Sequence, residues 1–461
     1  MSTSEYLIQI SKLEKNMSKY QSYTLRNLSE IKQLKSLNQS DFKAIEVVGN
    51  VLPFKVSNYV IDELIDWNNV PEDPLFTLTF PRKEMLKENY YAAIEKAINS
   101  SESRENTVQL ANNIRMELNP HPAGQSHNVP LFEGKELTGI QHKYRETLLF
   151  FPSQGQTCHA YCSFCFRWPQ FTGISELKFA MKETELLKSY LKSNPQVTDV
   201  LFTGGDPLIM KSSILNSYLD SLLDEELENI QTIRIGTKAL SYWPYRFTED
   251  SDADELLRMF DKIVKSGKNL AIMAHFNHPR ELSTPAVERA IKRLLSTGAQ
   301  IRTQSPVLRY INNDPLIWSE MWRRQVNLNL IPYYMFVVRD TGAQHFFGIP
   351  LVEAWDIFRN AYQRVSGVCR TVRGPSMSAT PGKIQILGVS EIADEKVIVM
   401  RFLQGRNPDW VAKPFFAKYD ENAIWLDELV PAFGQEEFFF EDELAQFFNE
   451  KYSDPEVENY E

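Results

Sequence analysis

The segment TLLFFPSQGQTCHAYCSFCFR, residues 147–167, joins a short apolar run to a loop that contains three of the chain's four cysteines. Its first five residues are apolar or β-branched, which is typical of a strand buried on both faces. The cysteines Cys158, Cys162 and Cys165 have the spacing C-x3-C-x2-C. Three thiolates at this spacing can hold three corners of a 4Fe–4S cluster and leave the fourth iron open to a ligand. We therefore predict a reactive cluster directly after the first strand of a sheet.

Other uses of these cysteines need separate consideration. Cys369 lies far along the chain, in SGVCR, where it is poorly placed to complete a local four-thiolate site. A zinc site or a set of buried thiols would use the same residue type. Structural zinc sites usually combine a C-x2-C pair with a second pair, and the sequence has no second pair. This difference favours the three-ligand cluster, and no structural zinc is expected.

Outward from this segment, short apolar runs alternate with amphipathic helical patterns as far as about residue 375. The later apolar runs include VTDVLFTG, TIRIG, NLAIMAHF, QIRTQS and IPYYMFVV, and ADELLRMFDKIVKS is one of the helical patterns. Repeated strand–helix units indicate a parallel sheet with helices on both faces. We predict an α/β fold in which residues 141–383 form a complete or partial (βα) barrel.

The flanking regions carry no obvious chemistry. Residues 1–140 are predicted to be a mostly helical N-terminal extension, with apolar positions at helical spacing in YLIQISKL and YVIDELIDW. The Pro- and Gly-rich segment 119–130 is predicted to be the loop that enters the central domain. Residues 384–461 are predicted to form a small C-terminal module with a terminal helix, used for packing and assembly.

Composition excludes several classes of protein. The 461 residues suffice for one large domain with extensions or for two or three domains. No apolar run approaches the length of a membrane span, and the first residues lack the basic-then-apolar order of a secretory signal. A net charge of −10 argues against binding to nucleic acid. Because a labile cluster needs a reducing compartment, we expect a cytoplasmic protein.

Polar residues follow several of the predicted strands, where a (βα) barrel places its site. Gly204, Gly205 and Asp206 follow VLFT, His275 ends NLAIMAH, and Gln304 lies in QIRTQS. Glycines let backbone approach a ligand closely, and a carboxylate can accept hydrogen bonds from an ammonium group. A Gly-Gly-Asp-Pro sequence also suits an ordinary turn, and each histidine has an alternative role as a structural hydrogen-bonding group.

Several motifs in order carry a resemblance to a known family. The chain resembles the lysine 2,3-aminomutase family of radical S-adenosylmethionine enzymes over about residues 65–390. That resemblance implies a partial barrel of six (βα) units, a 4Fe–4S cluster, S-adenosylmethionine and, usually, pyridoxal 5′-phosphate. The motifs are the cysteine loop with its following FR, HKY at 142–144, TGGDP at 203–207, IRIGT at 233–237, HFNHP at 275–279, LRYINNDP at 308–315 and PYY at 332–334.

The resemblance also implies a reaction and its cofactor ligands. The open iron would bind S-adenosylmethionine, whose cleavage yields a 5′-deoxyadenosyl radical that takes an unactivated hydrogen from the substrate. An amino group then moves from C2 to C3 of an L-α-amino acid while held as an aldimine of pyridoxal phosphate. The three clustered cysteines match the cluster ligands. The Gly-Gly-Asp loop matches the site for the methionine amino group, and His275 and Gln304 match positions around the nucleoside.

The family's pyridoxal phosphate site is only partly matched. Lys383 ends GPSMSATPGK, where the family has a lysine in a shorter, glycine-rich loop. We expect Lys383 to form the Schiff base, the alternative being an ordinary surface lysine. Lys143 stands at one family arginine for phosphate, while Thr147 stands at the other, with Arg145 nearby.

The expected substrate pocket departs most from the family. Arg167 matches the arginine that binds the amino acid carboxylate. Lysine-specific members use two aspartates for the distal ammonium, and this chain has Arg339, followed by Asp340, and Arg373 at about those places. A cation there repels an ammonium and attracts a carboxylate. We predict an acidic amino acid such as glutamate, not free L-lysine, unless Asp340 occupies the ammonium position.

Three functions are consistent with these observations. The first is an isomerase, a 2,3-aminomutase with a small-molecule amino acid substrate, a reductant such as a flavodoxin or ferredoxin, and a homo-oligomeric state. The second is a radical S-adenosylmethionine enzyme of the same fold that lacks pyridoxal phosphate and performs other hydrogen abstractions. The third is a non-catalytic iron–sulfur electron carrier or binding protein. Site chemistry favours the first.

Overall fold

The computed structural model describes residues 19–100, 103–119, 126–174 and 179–452. The helical pattern predicted in YLIQISKL lies outside the described residues, as does the middle of the predicted entry loop at 119–130. Within the described residues, no helix combines the length and the apolar character that a membrane crossing requires.

The N-terminal region is mainly helical where it is described. Strands β1 (Ser22–Tyr23) and β2 (Val56–Ser57) form a short antiparallel pair. The segment YVIDELIDW forms a π-helical turn over Val60–Leu64 instead of a regular α-helix. Helices α1 to α4 span Gln39–Gly49, Pro74–Thr79, Glu88–Asn99 and Arg104–Glu117.

Side-chain caps fix where two of these helices begin. Asn38 precedes α1, and its side chain accepts a hydrogen bond from the Asp41 amide. Asp73 precedes α2, where it accepts from two backbone amides while Pro74 occupies the first helical position. Both arrangements satisfy amides that the helix leaves without partners, and proline loses nothing at that position. The predicted proline breaks thus become helix starts.

A large sheet organises the rest of the molecule. After a small hairpin of β3 (Leu131–Phe132) and β4 (Lys135–Glu136), the next eleven strands form one sheet in simple chain order. The strands β6 to β12 are mutually parallel, and β5 and β13 to β15 add antiparallel neighbours at the two ends. Strands β5 to β15 span Ile140–Tyr144, Thr147–Phe150, Asp199–Phe202, Thr232–Thr237, Asn269–His275, Gln300–Val307, Ile331–Val337, Arg373–Ser378, Gly382–Ile392, Glu395–Gly405 and Pro414–Lys418.

Helices connect the parallel strands and bury one face against them. Helix α8, for example, buries Leu256, Phe260 and Ile263 completely, at the i, i+4, i+7 spacing of one helical face. The apolar strands and these faces form one continuous core. Helices α5 to α13 span Thr184–Ser193, Ser212–Asp220, Ala239–Tyr242, Ala253–Lys265, Pro285–Leu295, Pro315–Asn327, Gln344–Phe347, Leu351–Gln363 and Glu441–Tyr452.

The prediction of an α/β fold with a large parallel sheet is confirmed. The predicted start of the C-terminal module, between residues 383 and 384, falls inside β13, so the sheet runs on across that position. The domain division therefore stays a prediction. Residues from β5, β8, β13 and β14 line one common cavity, which shows that the sheet curves enough to bring its distant strands together. This curvature creates the site described next.

Candidate functional site

The cysteine loop follows β6 and is held against the N-terminal region. The Tyr161 amide donates to the Lys55 carbonyl at 2.7 Å, and the Ser163 amide donates to the Leu78 carbonyl at 2.9 Å. The Ser163 hydroxyl adds a bond of 2.7 Å to the Thr77 carbonyl. These contacts fix the two residues that flank Cys162, so the N-terminal region positions the loop.

The donor set of this loop fits an iron–sulfur cluster. Cys158, Cys162 and Cys165 are all free thiols. Burial raises the pKa of each thiol, in Cys165 to about 12, so a positive centre is needed to hold them as thiolates. In the described part of the chain, no three His, Cys, Asp or Glu side chains converge on a single ion. A cluster makes a different demand, because each thiolate binds a different iron.

The Gly-Gly-Asp loop after β7 is joined to the backbone of the cysteine loop. The Asp206 amide donates to the Thr157 carbonyl at 2.7 Å. A Cβ on Gly205 would lie 2.4 Å from the backbone of Thr157, so only glycine permits this approach. The Asp206 carboxylate is buried and accepts from the Thr237 hydroxyl at 2.8 Å and the Lys238 amide at 2.9 Å. That side chain therefore fixes the loop, which leaves the loop backbone to face a ligand.

His275 and Gln304 are brought together as predicted neighbours. They are paired in register on β9 and β10, and the His275 ring lies 5.9 Å from that of Phe164 in the cysteine loop. Burial, with Lys238 nearby, lowers the pKa of His275 to about 3. The imidazole is therefore neutral at physiological pH. A neutral ring beside the cysteine loop fits a nucleoside better than an anion.

Sequence reasoning missed a buried ion pair beside this loop. Lys238 Nζ lies 2.5 Å from Glu281, which is fully buried, and 3.0 Å from the Asn277 carbonyl oxygen of the side chain. Both residues directly follow or lie near motifs that the sequence did show, IRIGT and HFNHP. A charged residue immediately after an apolar strand is the signal that could have found Lys238.

A second part of the site is a cavity of about 190 Å³ beside the cysteine loop. It lies where β5, β6, β13 and β14 approach each other, and the end of the cysteine loop contributes to its wall. Apolar and aromatic walls come from Tyr144, Leu149, Phe166 and Leu201. Its polar lining is formed by Asn128, Gln141, Lys143, Thr147, Arg167, Arg234, Arg339, Ser378, Thr380, Lys383, Gln404 and Arg406.

The charge of this lining is one-sided. Six of the lining side chains are cationic and, among the described residues, none of the lining is an aspartate or glutamate. Burial, followed by Arg406, Arg339 and Lys383, lowers the pKa of Lys143 well below its usual value. Depression by neighbouring cations shows that positive charge in the cavity exceeds its local compensation. The cavity is therefore built for an anionic ligand.

Lys383 lies on β13 with its amine among aromatic rings. Its Nζ is 4.3 Å from the centre of the Tyr334 ring and 3.2 Å from the Gln404 amide oxygen, the residue opposite it on β14. Burial, followed by the nearby Arg234, lowers the pKa of Lys383 to about 8. A substantial neutral fraction near pH 7 suits an amine that attacks a carbonyl.

Arg167 and Arg339 occupy the side of the cavity next to the cysteine loop. The two guanidinium groups lie 4.9 and 5.3 Å from the ring of Phe166. Arg167 Nη1 is buried and has no hydrogen-bond partner within the described residues. Burial lowers the pKa of Arg167 to about 10, which still leaves it charged. An unsatisfied buried guanidinium nitrogen is a specific place for a carboxylate or phosphate oxygen.

Three predicted site residues do not line this cavity. Arg145 is exposed in the turn between β5 and β6, and Arg373 is exposed with its guanidinium 4.8 Å from the Tyr333 ring. Asp340 pairs with Arg339 at 3.4 Å without reaching the lining. Two arginines that the sequence reasoning missed take part instead, Arg234 on β8 and Arg406 after β14.

Each missed arginine has a distinct setting. Arg234 pairs with Asp199 of the adjacent β7 at 2.7 Å, so its charge is partly balanced. It alternates with apolar residues in TIRIGT, and a lone arginine in a buried strand could have been noticed. Arg406 donates to the Asn128 side chain at 2.6 Å. Nothing in its local sequence indicates that residue 128 lies beside it, because the two are joined only by the fold.

Comparisons with known proteins agree with the motifs. No protein-family model matches the chain. A protein of Aquifex aeolicus named "Putative L-lysine 2,3-aminomutase" is 29% identical over 404 residues, which cover 88% of this chain and 95% of that protein. L-lysine 2,3-aminomutase of Clostridium subterminale is 27% identical over 278 residues, covering 59% of this chain and 63% of that enzyme.

A solved structure of a radical SAM methyltransferase from Sphaerobacter thermophilus also overlaps this chain. The overlap covers 53% of this chain and 68% of the methyltransferase, with 12% identity and a TM-score of 0.33. That score is too low to support a conclusion about the fold.

Proposed function

This chain belongs to the lysine 2,3-aminomutase family of radical S-adenosylmethionine enzymes, and we propose that it moves an amino group from C2 to C3 of an acidic L-α-amino acid. The observation that carries the substrate proposal is the cavity with six cationic side chains and, within the described residues, no lining carboxylate. A dicarboxylic amino acid such as glutamate is the substrate we favour.

Charge balance supports an acidic substrate. Arg234 is paired with Asp199, and Lys383 has a pKa of about 8, which leaves Lys143, Arg167, Arg339 and Arg406 as the main cations. A phosphate monoester and one α-carboxylate together supply roughly −2.5 to −3 charges. A second carboxylate brings the ligands close to balance, whereas a distal ammonium adds to the existing positive excess.

The residues divide naturally between two ligand groups. Lys143 and Arg406, which lie on the β14 side with Asn128 and Thr380, are proposed to bind the phosphate of pyridoxal phosphate, and Lys383 its carbonyl carbon. Arg167 is proposed to bind the substrate α-carboxylate through its buried Nη1. Arg339 is then proposed to bind the distal carboxylate from beside Phe166.

The cysteine loop is proposed to hold the cluster through Cys158, Cys162 and Cys165. The backbone of Gly204 and Gly205 would face the amino group of S-adenosylmethionine, with Asp206 fixing the loop. His275 and Gln304 would lie beside the nucleoside. When bound, these cofactors supply a 5′-deoxyadenosyl radical and carry the migrating amino group; the protein binds, orients and excludes water.

The proposal has a structural and a cellular corollary. We take the curved run of parallel strands to be the partial (βα) barrel of the family, with its site at the strand ends. We also propose a reducing, cytoplasmic setting, because the three thiols must remain reduced. A flavodoxin or ferredoxin would deliver the electron to the cluster.

A reconstituted enzyme assay tests the proposal. The anaerobic protein with iron, sulfide, S-adenosylmethionine, pyridoxal phosphate and dithionite is incubated with L-glutamate, L-aspartate or L-lysine. We expect a β-amino acid product from an acidic substrate, identified by mass spectrometry and NMR. Conversion of lysine alone would contradict the acidic-substrate proposal, and release of 5′-deoxyadenosine without any β-amino acid would contradict the aminomutase proposal.

One observation favours a second candidate, a family member that works without pyridoxal phosphate. Lys383 lies within a regular strand and donates to Gln404, whereas the family lysine lies in a glycine-rich loop. Borohydride treatment after incubation with pyridoxal phosphate distinguishes the two. A pyridoxyl mass on the peptide with Lys383, absent in Lys383→Ala and kept in Lys396→Ala, supports the first candidate. No such mass in the wild type supports the second.

A further inference from the structure

A buried tyrosine contacts one of the predicted cluster ligands. Tyr242 Oη lies 3.2 Å from Cys162 Sγ, and the tyrosine is 1% exposed. Its backbone is held on both sides, since its amide donates to the Lys238 carbonyl at 2.9 Å and its carbonyl accepts from Ser57 at 2.7 Å. The ring therefore has little freedom to move, and the hydroxyl faces sulfur and not water.

The other face of the ring meets a fixed cation. Lys238 Nζ lies 4.4 Å from the centre of the Tyr242 ring. That ammonium is held by the fully buried Glu281 at 2.5 Å and by Asn277 at 3.0 Å, so it is fixed above the ring. A cation over an aromatic face is attracted to the ring electrons, and polarisation of this kind strengthens a phenol as a hydrogen-bond donor.

These contacts have a direct consequence for a bound cluster. We propose that Tyr242 is a positioning residue for the cluster: its hydroxyl donates a hydrogen bond to the Cys162 thiolate, fixes that ligand and raises the reduction potential. A thiolate can only accept, and a phenol is protonated at neutral pH, so the donor must be Tyr242. Hydrogen bonds to cluster sulfurs stabilise the more electron-rich reduced state. This inference rests on the cluster of the proposed function.

The reduction potential of the cluster tests the role of the hydroxyl. Tyr242→Phe removes one oxygen and keeps the packed ring. The matched control is Tyr190→Phe, which removes another buried hydroxyl, bonded to His142 at 2.7 Å on the outer helix α5. Each protein is reconstituted anaerobically, its iron is counted, and its potential is measured by redox titration followed by electron paramagnetic resonance.

We expect a more negative potential in Tyr242→Phe and none of this shift in Tyr190→Phe. A tenfold change in the reduction equilibrium corresponds to about 59 mV for a one-electron couple. Lower iron content in Tyr242→Phe alone, with an unchanged circular dichroism spectrum, also supports the positioning role. Equal potential and equal iron content in Tyr242→Phe and wild type would overturn the inference alone. A wild-type protein that assembles no cluster would overturn both the inference and the proposed function.

Discussion

The two halves of the site treat charge in opposite ways. Around the cysteine loop, charged groups have internal partners: Lys238 pairs with Glu281, and Asp206 accepts from Thr237 and backbone amides. In the neighbouring cavity, six cationic side chains line the wall and no described lining residue is an acid. The first half is complete as protein and needs only its thiols to bind. The second half gains its charge balance from ligands, which is why it reports on the substrate.

The largest effect should come from the half that depends on thiols. Cys158→Ser replaces a soft ligand of the iron with a hydroxyl, so we expect cluster assembly and S-adenosylmethionine cleavage to be lost. Iron content and 5′-deoxyadenosine release measure this. Cys369→Ser is the matched control, because Cys369 is buried elsewhere beside Ser366. Equal losses in both variants would show that the effect is general to thiols in this fold.

A smaller but still large effect should come from the cation next to Phe166. Arg339→Ala removes the proposed partner of the distal carboxylate, and such a loss typically costs about 2 kcal/mol or more, roughly 30-fold in kcat/KM. We expect this fall for the acidic substrate with little change in cluster content. A fall below about threefold would separate Arg339 from substrate binding and break the comparison at its cationic half.

The pH dependence of Lys383 gives a more moderate change. Its pKa of about 8 means that the neutral, reactive amine rises as pH rises through that value. The rate of pyridoxal phosphate attachment should therefore rise about fivefold from pH 7 to pH 8 and level off above about pH 9. Stopped-flow absorbance follows the attachment. A rate that keeps rising tenfold per unit to pH 10 would indicate an ordinary exposed lysine.

The smallest expected effect concerns Arg373, which sequence matching placed in the substrate pocket. Arg373 is exposed, bonds to the Tyr334 hydroxyl at 3.3 Å and does not line the cavity. We expect Arg373→Ala to change kcat/KM by less than about threefold, the scale of a surface substitution. A fall as large as that of Arg339→Ala would return Arg373 to the pocket and require the β12 edge to move on binding.

The two halves also differ in how far the sequence could predict them. The cysteine loop and the Gly-Gly-Asp loop are local motifs, and their contact follows from the meeting of strand ends in a parallel sheet. Arg167, Lys143, Arg339 and Lys383 were predicted site residues that do line one cavity. Their predicted roles toward ligands remain predictions.

The rest of the site depends on long-range contacts that no local pattern records. Arg406 reaches Asn128 across a separation of 278 residues, and Tyr242 reaches Cys162 across 80 residues. Arg373 was placed by its spacing before a proline, but its strand turns the side chain outward onto Tyr333. A one-residue change in strand register reverses the side on which a residue lies, which spacing alone cannot determine.

The central claim is that the cationic cavity selects an acidic amino acid. The most direct test is a competition in which the reconstituted enzyme meets equimolar L-glutamate and L-lysine in one anaerobic mixture, with both β-amino acid products counted by mass spectrometry. The ratio of products gives the ratio of the two kcat/KM values. We predict that the glutamate product exceeds the lysine product by more than tenfold in the wild type and that this preference falls in Arg339→Ala. A mixture dominated by the lysine product would contradict the account.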